Sequence, residues 1–99
     1  MADAWHRHLA VLDLSRNALA GEDWSVLAAA LPHCEQLKEL YLGNNVNMRD
    51  YGVERLCEHL PKCDKLRILD MSSGGISGSV VWKLAWSLPK SMRVFSLAK

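Results

Sequence analysis

Three cysteines and two nearby histidines are the residues of this sequence whose types could form a metal or redox site. Cys34 and Cys63 each follow a proline by two residues, in the stretches LPHC and LPKC, and His33 and His59 lie close to them. Thiolates and imidazoles together bind zinc, usually with four ligands and often in close pairs such as CxxC. Cys57 and Cys63 are six residues apart and have no second pair. We therefore predict no metal site and no cofactor.

The spacing of Cys34 and Cys63 favours a packing role. They stand 29 residues apart at the same position of two similar segments, and the next similar segment has Ser91 there. A disulfide between them is geometrically conceivable, because neighbouring strands lie about 4.8 Å apart. An odd number of cysteines favours reduced thiols instead, and with them the cytoplasm or another reducing intracellular compartment. Import into an organelle such as the mitochondrion stays open.

The glycine-rich stretch SSGGISGS is a second candidate for chemistry. It lacks the lysine and the serine or threonine that complete a GxxxxGK[ST] phosphate loop. The stretch therefore predicts a flexible turn rather than a nucleotide site. No group of residues supplies a nucleophile, a base and an oxyanion site together, so we predict no enzymatic activity and no small-molecule substrate.

The composition predicts one small folded domain spanning residues 1–99. The 99 residues are 49% hydrophobic and 23% charged, with a formal net charge of +1. The absence of a basic cluster argues against charge-driven nucleic-acid binding. No stretch approaches the ~20 apolar residues of a membrane span, and the start has no signal-peptide run.

A repeat of 28 or 29 residues runs through the chain and includes both cysteine segments. Its copies cover about residues 9–36, 37–65 and 66–91, with a partial copy at 92–99. The defining positions of the first three copies are Leu9, Leu12, Leu14 and Asn17; Leu37, Leu40, Leu42 and Asn45; and Leu66, Leu69, Met71 and Gly74. The partial copy contributes Met92, Phe95 and Leu97.

Each copy predicts a strand, a turn and a helix. Stretches such as LAVLDLS and LKELYLG alternate with a period of two, which indicates a strand with one buried face. Apolar residues four apart follow and indicate a helix that ends near proline. Because parallel strands need a crossover, we predict an α/β fold with a parallel inner sheet of about four strands and about three outer helices. Trp24, aligned with Val53 and Val81, is predicted to lie in the core.

The pattern LxxLxLxxN is intact twice, from Leu9 to Asn17 and from Leu37 to Asn45. With this pattern and period the chain resembles the leucine-rich repeat family and, within it, the ribonuclease-inhibitor-like subclass. The resemblance implies a short solenoid that binds proteins and has no catalytic role. Three departures are expected to have structural effects. Gly74 replaces the third asparagine and should loosen that end, the extra residue in NNVNM should bulge, and the short third copy should turn tightly at Pro89.

Alternate strand residues point away from the core and form what we call the concave face. One row across that face reads Asp13, Tyr41, Asp70 and Ser96, with Glu39 on the same strand as Tyr41. An aromatic side chain between carboxylates predicts a small acidic docking patch for a basic partner segment. The alternative is an ordinary solvated strand face.

Trp82 and Trp86 predict a second contact surface, on the outer helices. They replace residues that are polar or small in the earlier copies, namely Ser25, Ala29, Glu54 and Glu58. Four residues apart on a helix, they form one ridge, which we call the tryptophan ridge. Exposed aromatic side chains mark contact surfaces, although terminal repeats can also fold such residues over themselves as a cap. The end near Leu97 shows no polar cap either, which predicts that a neighbouring subunit closes it; the alternative is that the chain is cut from a longer repeat protein.

Two functions are predicted from these surfaces. The first is a protein–protein interaction module that serves as a small structural or accessory subunit of a hetero-oligomeric complex and buries Trp82, Trp86 and Leu97. The second is a transient inhibitor or adaptor that binds a protein partner through the concave row.

Overall fold

The computed structural model describes residues 5–97, which contain four short strands and three helices in regular alternation. The strands are β1 (Val11–Asp13), β2 (Glu39–Tyr41), β3 (Ile68–Asp70) and β4 (Val94–Ser96). The helices are α1 (Glu22–Ala30), α2 (Arg49–Cys57) and α3 (Val81–Ser87). Short 3-10 turns lie at Trp5–Arg7, Leu31–His33, Leu60–Lys62 and Gly78–Val80.

The four strands form one parallel sheet in the order β1-β2-β3-β4. Their middle residues are register partners across the sheet: Leu12, Leu40, Leu69 and Phe95. Each helix connects one strand to the next and packs beside the helix of the adjacent repeat. The predicted α/β architecture, a parallel sheet of four strands with three outer helices, is therefore confirmed.

The hydrophobic core lies between the sheet and the helices and is best covered in the middle of the stack. Leu40 and Leu69 are 0% and 1% exposed, whereas the equivalent Leu12 and Phe95 are only partly buried. Within residues 5–97, a middle strand has a repeat on each side, while β1 and β4 each have one neighbour. Equivalent leucines therefore contribute unequally to stability.

Trp24 is confirmed as a core residue, and a glycine makes room for it. Its indole is fully buried, and Nε1 donates a hydrogen bond to the Leu19 carbonyl oxygen at 3.1 Å. A Cβ added at Gly52 of α2 would lie 3.1 Å from Cγ of Trp24 and 2.5 Å from Cγ of Met48. The indole thus occupies the space that a side chain at position 52 would need.

Val81 aligns with the core residues Trp24 and Val53 but does not lie in the core itself. Val81 is 37% exposed, and its neighbour Val80 is the buried residue, at 7%. The 3-10 turn Gly78–Val80 precedes α3 directly, and its tighter winding shifts the inward-facing position by one residue.

Asn45 links the first repeat to the second through its buried side chain. Its Nδ2 donates to the carbonyl oxygens of Leu14 at 3.0 Å and Leu42 at 2.9 Å. Gly74 has no side chain with which to continue this ladder. A main-chain bond from the Arg49 amide to the Gly74 carbonyl oxygen, 2.8 Å long, joins the second and third repeats instead.

The two length differences between copies are absorbed by turns. In NNVNM the Met48 amide donates to the Asn45 carbonyl oxygen at 2.9 Å, and Val46 protrudes with 60% of its surface exposed. After α3 the Met92 amide donates to the Pro89 carbonyl oxygen at 3.1 Å, which forms the tight turn expected there.

Candidate protein-binding surfaces

The tryptophan ridge lies on the outer face of α3. Leu84 on the same helix is fully buried, and Trp82 and Trp86 lie on the opposite side of the helix, one turn apart. Their side chains are 62% and 83% exposed. They are therefore open to solvent and do not fold over the last repeat as a cap.

A polar network covers the outer faces of α1 and α2 beside this ridge. The Tyr51 hydroxyl donates to Glu22 Oε2 at 3.1 Å and lies 3.0 Å from Ser25 Oγ, and the Arg55 guanidinium sits 5.3 Å from the Tyr51 ring centre. Lys83 Nζ of α3 lies 3.8 Å from Glu54 Oε2. These contacts tie the helices together at the surface. On α3, by contrast, the large side chains exposed on this face are the two tryptophans.

Leu97, predicted as a contact at the end of the stack, is partly buried. It lines a surface cavity of about 360 Å³ together with Met71 and Ile76. Gly74 and Gly75 also line this cavity. Leu97 thus differs from Trp82 and Trp86 in exposure, because its side chain packs against the core whereas theirs are largely open to solvent.

The acidic row of the concave face is assembled as the repeat register predicts. Asp13, Tyr41, Asp70 and Ser96 are successive register partners on β1 to β4. Asp13 accepts a hydrogen bond from the Ser15 amide at 2.9 Å, and Asp70 accepts bonds from the Ser72 amide at 2.9 Å and the Ser72 hydroxyl at 2.6 Å. Each carboxylate is therefore held in place by the turn that follows its strand.

Tyr41 is surrounded by negative charge. Its hydroxyl donates to Glu39 Oε1 at 2.7 Å. This bond raises the pKa of Tyr41, and partial desolvation and the charges of Glu39, Asp13 and Asp70 raise it further. Hydrogen bonds from Ser15 lower the pKa of Asp13, so its carboxylate stays ionised. The carboxylates named in the sequence analysis thus act on one tyrosine.

Two further rows of residues run across the strands; the sequence analysis missed the first of them, whereas the repeat register already placed the second on the concave face. The residues before the strands are Lys38, Arg67 and Arg93, all exposed, and they form a basic row. The first strand residues are Val11, Glu39, Ile68 and Val94, which form a mostly apolar row. The signal was present in the sequence, because the dipeptides LK, LR and MR recur at one repeat position.

The cysteines are packing residues. The Cys34 and Cys63 thiols donate to the carbonyl oxygens of Ala30 and His59, four residues earlier, at 3.9 and 3.8 Å. His6 and His33 line the same surface cavity as Cys34, of about 470 Å³, but burial raises the pKa of that thiol and disfavours a thiolate. Within residues 5–97 no group of three His, Cys, Asp or Glu side chains is arranged to hold a metal ion.

Ser91 differs from the cysteines that it aligns with. Its hydroxyl donates to the Leu66 carbonyl oxygen at 2.6 Å, in the preceding repeat. A serine is accepted at this repeat position because its hydroxyl bonds to a different carbonyl oxygen from the one that the cysteine thiols use. The local backbone differs too: α3 is followed by an extended residue, Leu88, and not by the 3-10 turn of the earlier copies.

Cys63 is expected to resist alkylation in the folded protein. Burial raises its pKa to about 11, with smaller contributions from the nearby Cys34 and Asp64. At pH 8 the thiolate fraction falls to about 0.1%, against about a quarter for an ordinary thiol, so reaction with iodoacetamide should slow at least about a hundredfold. Mass spectrometry of the native and the urea-unfolded protein measures this ratio. Equal rates in both states would contradict the burial seen here.

The chain was compared with known proteins. The family model described as a leucine-rich repeat matches residues 6–28. Residues 6–28 are therefore similar to a leucine-rich repeat. A search of curated proteins finds no significant match. Leucine-rich repeats are generally non-catalytic modules that mediate protein–protein interaction.

Within residues 5–97 the stack of repeats has an open sheet face on one side and outer helices on the other. Among residues 5–97 no helix is long and apolar enough to span a bilayer. A protein partner is the class of ligand that this repeat implies.

Proposed function

We propose that this leucine-rich repeat protein is a small, stable subunit of a multi-protein complex and docks through its tryptophan ridge. The observation that supports the proposal is the exposure of Trp82 and Trp86, at 62% and 83%. Burying two such indoles supplies on the order of 5–10 kcal/mol before the costs of association, enough to anchor an interface. Aromatic side chains of this kind are the commonest interface hot spots.

The ridge also has neighbours suited to an interface rim. Lys83 and Glu54 form an exposed ion pair beside the tryptophans, with side chains 45% and 42% exposed. Such pairs contribute little to the stability of the free protein, but they orient polar groups around an apolar centre. An apolar centre with a polar rim is the usual arrangement of a protein interface.

The alternative function is a transient inhibitor or adaptor that uses the concave face. Tyr41 favours it, because the hydrogen bond to Glu39 orders an aromatic side chain among three carboxylates before any partner arrives. An ordered side chain loses less entropy on binding.

Replacing both tryptophans of the ridge by glutamate should abolish assembly and leave the fold intact. The tagged chain with Trp82→Glu and Trp86→Glu should lose the stoichiometric proteins that the wild type retains through a high-salt wash, because two charges cannot be buried in an apolar contact. Quantitative mass spectrometry of the purified material measures this. The matched control carries Val26→Glu and Ala29→Glu on α1, which are also exposed.

The same purification separates the two functions. If Tyr41→Ala with Asp70→Lys removes the bound proteins while the tryptophan variant keeps them, the concave face carries the function. If the wild-type chain is monomeric and neither variant changes what it binds, the proposed subunit role is wrong.

A further inference from the structure

The repeat position of Trp82 is one that contacts the next helix in each of the two earlier repeats. Its equivalent on α1 is Ser25, whose Oγ lies 3.0 Å from the Tyr51 hydroxyl of α2. Its equivalent on α2 is Glu54, whose Oε2 lies 3.8 Å from Lys83 Nζ of α3. Both equivalents are half-buried, whereas Trp82 is 62% exposed. Trp82 therefore lies on the side of α3 where the helix of a further repeat would pack.

A pair of equivalent alanines shows the same loss of cover. Ala28 of α1 is fully buried, whereas Ala85, which aligns with it on α3, is exposed. Residues spaced i, i+1, i+4 and i+5 share one side of a helix. This spacing joins Ala85 to three other exposed residues, and we call the four the end strip: Val81, Trp82, Ala85 and Trp86.

The core side of β4 is incompletely covered as well. Phe95 and Leu97 are only partly buried, although their equivalents one repeat earlier, Leu69 and Met71, are 1% and 0% exposed. A cavity of about 360 Å³ remains beside Leu97. Among residues 5–97 the sheet has four strands for three helices, so β4 extends one repeat beyond α3. The end strip and β4 thus border one unfilled space, which the next helix occupies in the earlier repeats.

The charge at this end of the chain has one sign. Residues 71–99 contain four Lys or Arg and no Asp or Glu, whereas residues 1–70 contain eight Lys or Arg and eleven Asp or Glu. The two parts therefore have formal charges of +4 and −3, although that of the whole chain is only +1.

Two of these cations lie on the segment that joins α3 to β4. Lys90 and Arg93 are both exposed. The Arg93 guanidinium is held beside this segment, because Nη1 donates to the carbonyl oxygens of Ser91 at 3.4 Å and Met92 at 3.5 Å. Opposite charge guides a partner to such a surface, so an acidic partner is favoured at this end of the stack.

From these observations we propose that the end of the stack binds an acidic, amphipathic α-helix of a partner protein. The helix lies on β4 beside α3, as α2 lies beside α1. Its apolar stripe covers Trp82, Trp86 and Phe95, and its carboxylates lie near Lys90 and Arg93. The inference rests on the proposed function, because it names the kind of partner that the tryptophan ridge binds.

A second copy of this chain fits the space less well. A copy that continued the sheet would pair its β1 with β4 of the first copy. Because α1 follows β1 in the chain, the first α-helix of that copy would lie one repeat further on. The space beside the end strip would then stay unfilled.

Three synthetic peptides of about 20 residues test the proposal. Two are helical, share one stripe of leucine and alanine, and carry either Glu and Gln or Lys and Gln elsewhere. The third has the composition of the Glu peptide in an order that forms no stripe. Fluorescence anisotropy should give the Glu peptide a Kd at least about tenfold lower than either of the others, because only it combines the stripe with opposite charge. A photoreactive leucine analogue in its stripe should crosslink to α3 and β4.

A charge placed in the end strip should weaken this binding. Ala85→Glu should raise the Kd of the Glu peptide at least about tenfold, because the carboxylate would be buried against the apolar stripe. Ala29→Glu is the matched control, since it makes the same change at an exposed alanine of α1. It should leave the Kd unchanged.

Reversing the basic charges should remove the preference between peptides. Lys90→Glu with Arg93→Glu should give the Glu and Lys peptides similar affinities. Lys62→Glu with Arg67→Glu makes the same change at the equivalent exposed positions one repeat earlier and should keep the preference for the Glu peptide. Circular dichroism establishes that each variant is folded.

The proposal is overturned if the Glu peptide binds no more tightly than the scrambled one or if its crosslinks map outside α3 and β4. Equal weakening by Ala29→Glu and Ala85→Glu would also contradict it. So would a concentration-dependent oligomer of the chain that Ala85→Glu dissociates in analytical ultracentrifugation, because a second copy would then cover the end strip.

The two proposals fail in different ways. If the chain binds the Glu peptide but purifies without stoichiometric proteins, the subunit role is wrong and the helix site stands. If Trp82→Glu with Trp86→Glu removes the bound proteins but the wild type does not prefer the Glu peptide, the subunit role stands and the acidic helix is wrong.

Discussion

Replacing Trp24 by alanine should lower the free energy of unfolding by about 3–5 kcal/mol, because the fully buried indole leaves a cavity that its neighbours cannot fill. Its hydrogen bond to the Leu19 carbonyl oxygen is lost as well. A domain of this size has a total stability of about 5–15 kcal/mol, so the variant should lose a large part of it.

Trp86→Ala is the matched control, since it removes the same side chain from a position that is 83% exposed. It should change the free energy of unfolding by no more than about 0.5 kcal/mol. Urea unfolding followed by far-UV circular dichroism measures both variants without relying on tryptophan fluorescence. Similar midpoints for the two would mean that the indole of Trp24 is not in the core.

Leu40→Ala should destabilise the protein by about 3–5 kcal/mol, at the upper end of the range for leucine, because Leu40 is fully buried on a central strand. Leu12→Ala is the same substitution at the equivalent repeat position on β1, where the side chain is only partly buried. It should cost about 1–2 kcal/mol, because less apolar surface leaves water there on folding.

The ratio of the two effects tests the position of each strand in the stack. It can be read from urea midpoints alone if the two variants unfold with the same dependence on urea. Equal losses would show that the first repeat is as well covered as the second, contrary to the order β1-β2-β3-β4 with β1 at the edge.

Repeat register was a sound guide to positions within the sheet. Asp13, Tyr41, Asp70 and Ser96 are register partners as predicted, because three-residue strands at equal spacing leave little freedom for a slip. It was a poorer guide on the helices. Val80 is buried, and not Val81, which aligns with the buried Trp24 and Val53, because a 3-10 turn precedes α3. No pattern of apolar residues distinguishes that turn from a further turn of α-helix.

The missed features have two different causes. The basic row could have been found by aligning the second residue of the copies, which is Ala10 in the first copy and Lys38, Arg67 and Arg93 in the following ones. The bond from Tyr51 to Glu22 could not, because it joins residues 29 apart through side-chain conformations on two helices. Only side chains fixed by the strand alternation are predictable in this way.

The repeat spacing alone was enough to establish the parallel sheet, the order of its strands and the face on which each strand residue lies. The reason is that units with a period near 29 residues stack so that each contacts only its neighbours in the chain. Which of these side chains are fully buried was decided only by the tertiary packing. Gly52 is a poor helix residue by propensity, yet its lack of a side chain is what admits Trp24 from the neighbouring helix. Such complementarity depends on distances between atoms far apart in the chain, and equivalent positions such as Leu12 and Leu40 differ for the same reason.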